Sequence, residues 1–406
     1  MPLRKLKPGF FLLEGLNSFA VVYYFFYLYF FMQARHGFDN QANLELAALN
    51  GAVCVVASWF GGKFAQGFGY FTALKLGWSL MLGAMLLGLA LESAPGHILA
   101  AAVAAGGMCF TWPTLEALAS EGETRAGLPH MVGIYNLVWA ASAAVSNFTG
   151  GALLTKLGLK SLFYVPAAIQ VTQLGLTFWL EARAAPAAAR LPGGAEPIQR
   201  AAGAGALAAS AAEAIAPSTA RKFLRMAWLA NPFAYIAITT LVAVIPGLAQ
   251  QLKLSTMLAG FCCSVWCFAR FGAFFALWLW DGWHYRFRWL LLAYLALITA
   301  FAAILLVPSL PVLVLAQVMF GAAVGLIYYS SLFYSMDVGD TKVEHGGLHE
   351  AAIALGNFTG PAVGAAALHF LPQYANSGAL AVSALLGLGL AGLTAIRAGD
   401  RRTFKA

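Results

Sequence analysis

Arg270 stands in the apolar run FCCSVWCFARFGAFFALWLW as its sole charged residue. A guanidinium stays protonated in proteins, so it cannot shed its charge to enter an apolar setting. It calls for an anionic ligand in a wet cavity or for a permanent carboxylate partner, and both readings stay open. Trp266 lies one helical turn away, where its ring could stack on the cation or on a ligand. Glu14, Asn17 and Tyr24 fall at i, i+3 and i+10 of GFFLLEGLNSFAVVYYFFYLYFF, on one helical stripe. Trp112 and Glu116 are i, i+4 in CFTWPTLEALASE, with Pro113 between them. Two carboxylates buried at one depth, Glu14 and Glu116, could share a proton. The plainer alternative has them capping helix ends or pairing with loop arginines.

Two further clusters carry polar chemistry. The run GLIYYSSLFYSMD crowds hydroxyls onto half a helix, and Tyr328 and Ser331, at i and i+3, could hydrogen-bond a solute or a neighbouring helix. Glu344, His345, His349 and Glu350 cluster further on, with two His at the i, i+4 spacing that can ligate a metal on a helix. Gly346 and Gly347 interrupt that helix and no third distant ligand is evident, so no metal is expected. Glu350 and His349 remain candidates for a proton or gate role, against a solvated helix start. The five cysteines, Cys54, Cys109, Cys262, Cys263 and Cys267, all lie in apolar runs and read as small core residues. No cofactor is expected: the chain has no phosphate-cradling Gly-x-x-x-x-Gly-Lys-Ser/Thr loop.

The elements that must hold these groups are membrane helices. Hydrophobic residues make up 61% of the 406, charged residues only 10%, and mean hydropathy is +0.76. Soluble domains average about 25% charged residues, and water would not solvate so apolar a surface. A bilayer crossing takes about 20 apolar residues and leaves no backbone group unpaired, which selects helices. Twelve spans are expected, near 9–32, 43–66, 72–91, 96–119, 130–155, 161–181, 228–249, 256–280, 287–307, 311–336, 347–371 and 376–397. The Ala-, Pro- and Gly-rich stretch 182–227 reads as a linker between two bundles, 1–181 and 228–406. No cleavable signal peptide is visible, since the first apolar run is too long and lacks a small-residue cleavage site.

Most of the 24 Lys and Arg fall on one side of this arrangement; Arg35, Lys156, Lys160 and Lys253 fall on the other. By the positive-inside rule both termini and the linker are cytoplasmic, in a plasma (inner) membrane. The net charge of +8 then faces anionic lipid and asks for no nucleic acid. The pentapeptide NFTGG at Asn147 returns as NFTGP at Asn357, half a chain later and six spans on. Gly150 and Gly360 would let a neighbouring helix approach closely, and Pro361 would permit a bend. A matched pentapeptide in spans five and eleven indicates two parallel six-helix repeats.

With twelve spans in two halves around a middle loop, the chain resembles the major facilitator superfamily over essentially its whole length. NFTGGALL resembles that family's Gly- and Pro-rich motif in span five. Its loop motif between spans two and three reads roughly Gly-x-Leu-Ala-Asp-Arg-x-Gly-Arg-Arg, and the stretch here is GKFAQGFGYF. Gly62, Ala65 and Gly69 fit; Gln66 and Gly67 replace the family's Asp and Arg, and Tyr70 and Phe71 replace the basic pair. The second-half counterpart WDGWHYRFRW keeps Asp281, Arg286 and Arg288. The resemblance implies an all-α integral membrane fold and alternating access about a midplane site, with spans one, four, seven and ten lining the path. The expected function is secondary transport of a small polar, anionic organic solute, with protons as a candidate coupling ion and a monomer sufficing. Arg270, Trp266, Tyr328, Ser331, Asn17, Tyr24 and Trp112 are the candidate solute contacts. The alternatives are a lipid flippase or a receptor on the same fold, or a membrane transferase, for which the loops are too short to host catalytic residues.

Overall fold

Helices dominate the described residues because, in lipid, an apolar sequence can satisfy its backbone groups only internally. The computed structural model describes residues 3–123, 127–188, 217–338 and 342–403. The side chains of 342–351, Glu350 and His349 among them, lie outside the described ones. After a 3-10 turn at Leu3–Leu6 come α1 (Lys7–His36), α2 (Asn40–Phe68), α3 (Tyr70–Ala90), α4 (Ala94–Ser120), α5 (Leu128–Leu157) and α6 (Ser161–Ala188). The second set is α7 (Pro217–Gln251), α8 (Thr256–Cys263), α9 (Val265–Leu279), α10 (Phe287–Leu306), α11 (Leu310–Val338), α12 (Lys342–Phe370) and α13 (Ser377–Thr403). No strand occurs among the described residues. Helices α8 and α9 together make one crossing, so the count of spans is twelve.

Ten of these spans are long and apolar enough to cross a membrane by composition alone. The other two are α6, which carries Gln170, Gln173 and Thr177, and α12, which opens on KVEHGGLHE. Short connections are sharpened by side-chain caps: Asp39 accepts from Ala42 N, and Ser93 from Gly96 N. Two boundaries differ from the sequence expectation. The helices α6 and α7 run into the expected linker, to Ala188 and from Pro217. Pro217 is tolerated there because the first helical residue has no intrahelical N–H bond to lose. The eighth span, expected to be continuous, breaks at Ser264. Gln317 of α11 takes up the loosened backbone there, donating to Cys262 O at 2.7 Å.

Within the first six spans α1 packs on α4, α5 and α6, and α3 packs on α4 and α6. In the second set α7 packs on α11, α12 and α13, and α11 on α9 and α10. The two sets meet through α5 against α8 and α9, and α2 against α12. The repeated pentapeptide occupies matched places in this scheme. A Cβ on Gly150 would strike Tyr23 and Tyr27 of α1, and one on Gly360 would lie 2.5 Å from Ile236 O of α7. Spans seven and eleven thus repeat the contact that spans one and five make in the first half. Pro361 lies inside α12, directly after this contact.

Ion pairs mark the two ends of the bundle. At the end carrying the termini, Lys7 pairs with Glu123 at 2.5 Å and Lys75 with Glu181 at 2.9 Å. At the far end Glu92 holds Arg35 at 3.0 Å and Lys160 at 2.7 Å. There Gln33 of α1 also reaches Gln250 of α7, across the two halves, at 3.3 Å.

Candidate functional site

The site is built where the two halves face each other. A cavity of about 270 Å³ is enclosed by residues of α1, α2, α4 and α5 from one half and α7, α9, α11 and α12 from the other. Its wall is largely apolar and aromatic, including Phe25, Phe26, Trp112, Trp139 and Tyr235. Arg270 enters from α9, nearly two turns past the break at Ser264, and is 6% exposed. Its guanidinium carbon sits 4.3 Å from the centroid of Trp139 and 4.7 Å from that of Trp266. Two indoles from opposite halves thus clamp one cation by cation–π attraction. Among the described residues no carboxylate forms an ion pair with Arg270. Its Nε is buried and has no hydrogen-bond partner.

The acidic groups sit on the same wall but not beside Arg270. Glu116 lines the cavity. Glu14 lies fully buried behind it and accepts three hydrogen bonds: from Ser18 Oγ at 2.7 Å, Tyr135 OH at 2.8 Å and Trp112 Nε1 at 3.2 Å. All three donors line the cavity, so Glu14 connects to its contents through one layer of polar groups. No Lys or Arg pairs with either acid among the described residues.

The remaining candidates divide by helical face. Trp266, Tyr328, Trp112, Asn147 and Asn357 line the cavity. Tyr328 meets Trp139 edge-on at 5.8 Å. Asn147 donates to Cys267 Sγ at 2.8 Å, one turn before Arg270, and its carbonyl accepts from Tyr27. Asn357 accepts from Thr239 Oγ1 at 2.7 Å. Asn17, Tyr24 and Ser331 are fully buried but do not line the cavity. Asn17 is one position off Ser18, which does, and the rotation of about 100° per residue turns it into the first bundle. Of the loop motif, Gly69 adopts φ +87° at the α2–α3 turn, and Gly62 has open space around it. Sequence spacing gave no hint of Trp139, Tyr135, Tyr235 or Gln317, because each acts on a residue of a different helix.

Comparison with known proteins agrees with this architecture. The sequence matches the family model of the Major Facilitator Superfamily over residues 10–361. The chain belongs to the major facilitator superfamily. It is accordingly a membrane transporter rather than an enzyme. Solved structures of the superfamily share its fold at low identity. A bacterial homolog of the human lysosomal transporter Spinster, inward-facing and occupied, is 15% identical with a TM-score of 0.67, over 99% of this chain and 98% of that one. The nucleoside transporter NupG is 12% identical with a TM-score of 0.68, over 98% and 99%. The human organic anion transporter MFSD10 (TETRAN) is 16% identical with a TM-score of 0.65, over 97% and 100%. No curated protein matches the sequence.

Proposed function

We propose that this transporter carries a small organic anion, whose charged group docks on Arg270 and whose apolar body lies against the aromatic wall. The observation that carries this reading is the buried guanidinium, clamped by Trp139 and Trp266 and without a carboxylate among the described residues. A buried charge left uncompensated is costly, so an anionic ligand would gain most of what the site has to offer. A cavity of about 150 Å³ holds benzene, so about 270 Å³ suits one ring or a short chain bearing a carboxylate. MFSD10, an organic anion transporter by its description, shares the fold. Two halves of six spans, 1–181 and 228–406, rock about this site, and a monomer suffices. The Lys and Arg bias supports both termini lying on the cytoplasmic face of the plasma membrane.

Protons are the proposed coupling ion, with Glu14 and Glu116 as carriers. Glu14 has donors but no cation, which is the arrangement of an acid that can hold or release a proton without breaking an ion pair. Uptake of carboxylates into proteoliposomes, with and without a proton gradient, tests both parts. The expected result is gradient-driven accumulation in the parent. Glu14→Gln should keep solute exchange and lose the response to the gradient. Uptake of neutral solutes only would sink the anion reading, and unchanged coupling in both Glu14→Gln and Glu116→Gln would sink the proton reading.

A further inference from the structure

Two of the five cysteines meet on the cavity wall. Cys54 of α2 and Cys109 of α4 both line the cavity, and neither is in a disulfide. Both thiols point at one carbonyl: Ala105 O lies 3.8 Å from Cys54 Sγ and 3.3 Å from Cys109 Sγ. Cys109 Sγ also reaches Cys54 O at 3.9 Å. The helix crossing that brings them together is unusually close. Pro113 lacks the N–H that would bond Cys109 O, and Gly61 of α2 lies against that carbonyl, where a Cβ would stand 2.6 Å from the oxygen. The thioether of Met108 lines the same cavity.

We propose that Cys54 and Cys109 form a dithiol site that captures a soft, thiophilic metal or metalloid in the cavity wall. Sulfur ligands select soft acceptors over hard cations. Bonds of about 2.3 Å to sulfur at a tetrahedral angle let one such atom bridge sulfurs about 3.8 Å apart. A divalent soft cation would displace two thiol protons and leave a neutral bis-thiolate. A trivalent arsenoxide would do the same: two As–S bonds form, the oxide oxygen leaves as water with the two thiol protons, and arsenic stays trivalent. Neutrality matters because the surrounding wall, with Phe25, Val53, Ala57 and Ala354, is apolar. The site is distinct from the Arg270 clamp, and its occupant would narrow the same cavity.

Phenylarsine oxide, which binds stably only to paired thiols, tests this on the purified, reduced full chain. Intact mass is expected to show one aryl-arsenic per chain. Proteolysis should then give an arsenic-bridged pair of peptides, one containing Cys54 and the other Cys109. Cys54→Ser and Cys109→Ser should each lose the adduct, whereas the double variant Cys262→Ser, Cys263→Ser should keep it. An unmodified parent, or an adduct mapping to Cys262, Cys263 or Cys267, would overturn the proposal. The peptide map is made on the parent, so the answer does not depend on whether a variant folds.

Discussion

Arg270 shows how one residue can be costly to the fold and central to the site. Its 6% exposure and two indole neighbours leave a full charge with cation–π contacts and no counter-ion among the described residues. Replacing it with Met, of similar volume, removes that cost. Arg270→Met should therefore raise the unfolding free energy by about 1 kcal/mol or more while weakening carboxylate binding at least about tenfold. Thermal unfolding and ligand-induced shifts of the same samples check both. Lower stability together with intact binding would refute the clamp. Arg270→Lys keeps the charge but loses the planar face that stacks on both rings, and should also lose binding.

At the scale of the element, small residues set how closely helices approach. A Cβ on Gly51 of α2 would lie 2.6 Å from Asn357 O of α12, and one on Gly151 of α5 would lie 2.5 Å from Thr256 O of α8. Backbone cannot yield as a side chain can, so Gly51→Ala and Gly151→Ala should each cost about 1–3 kcal/mol. Gly62→Ala, with open space around it, should change stability by less than about 0.5 kcal/mol. Differential scanning fluorimetry of the three variants would show this ranking, and equal losses at all three would contradict it. The break at Ser264 belongs to this scale too. Nothing in the run TMLAGFCCSVWCFAR marks a helix end, and at the break Gln317 of another helix donates to the Cys262 carbonyl. Composition showed the helix, and packing decided where it stops.

For the whole molecule, the far-end contact between Gln33 and Gln250 is the place to arrest the two halves. With Gln33→Cys and Gln250→Cys combined, a short cleavable bifunctional thiol reagent should drop uptake to background, and reductive cleavage should restore it. Ligand binding should survive cross-linking, since the cavity lies elsewhere. Full cross-linking by mass together with normal uptake would rule out rocking about this end. The same face carries the Glu92 cluster, outside the spans. The hydrogen bond from Lys160, and the charges of Lys160 and Arg35, hold its carboxyl below the usual carboxylate range. A lowered folded-state value contributes stability above the ordinary pKa, which is lost as pH falls through the lowered one. Between about pH 5 and about pH 3 the parent's melting temperature should therefore fall more than that of Glu92→Gln. A steeper fall in the variant would reverse the sign.

Twelve apolar stretches, the repeat at Asn147 and Asn357 and the uneven Lys and Arg could all be read from the chain alone. Each rests on a property of contiguous residues: transfer into lipid, close approach at glycine, or charge near a membrane face. Arg270 stood out for the same reason, as one charge in an apolar run. Its surroundings did not, because Trp139 is on a different helix in the other half of the chain. Spacing along one helix also grouped Tyr24 and Asn17 with Glu14 and placed Ser331 beside Tyr328. The tertiary structure left Tyr24 and Asn17, like Glu14, off the cavity wall and parted Ser331 from Tyr328, since only the packing of neighbouring helices decides which narrow arc of each faces the cavity. The meeting of Cys54 with Cys109 was equally invisible, because Gly61 and Pro113 act on each other only once α2 and α4 have crossed.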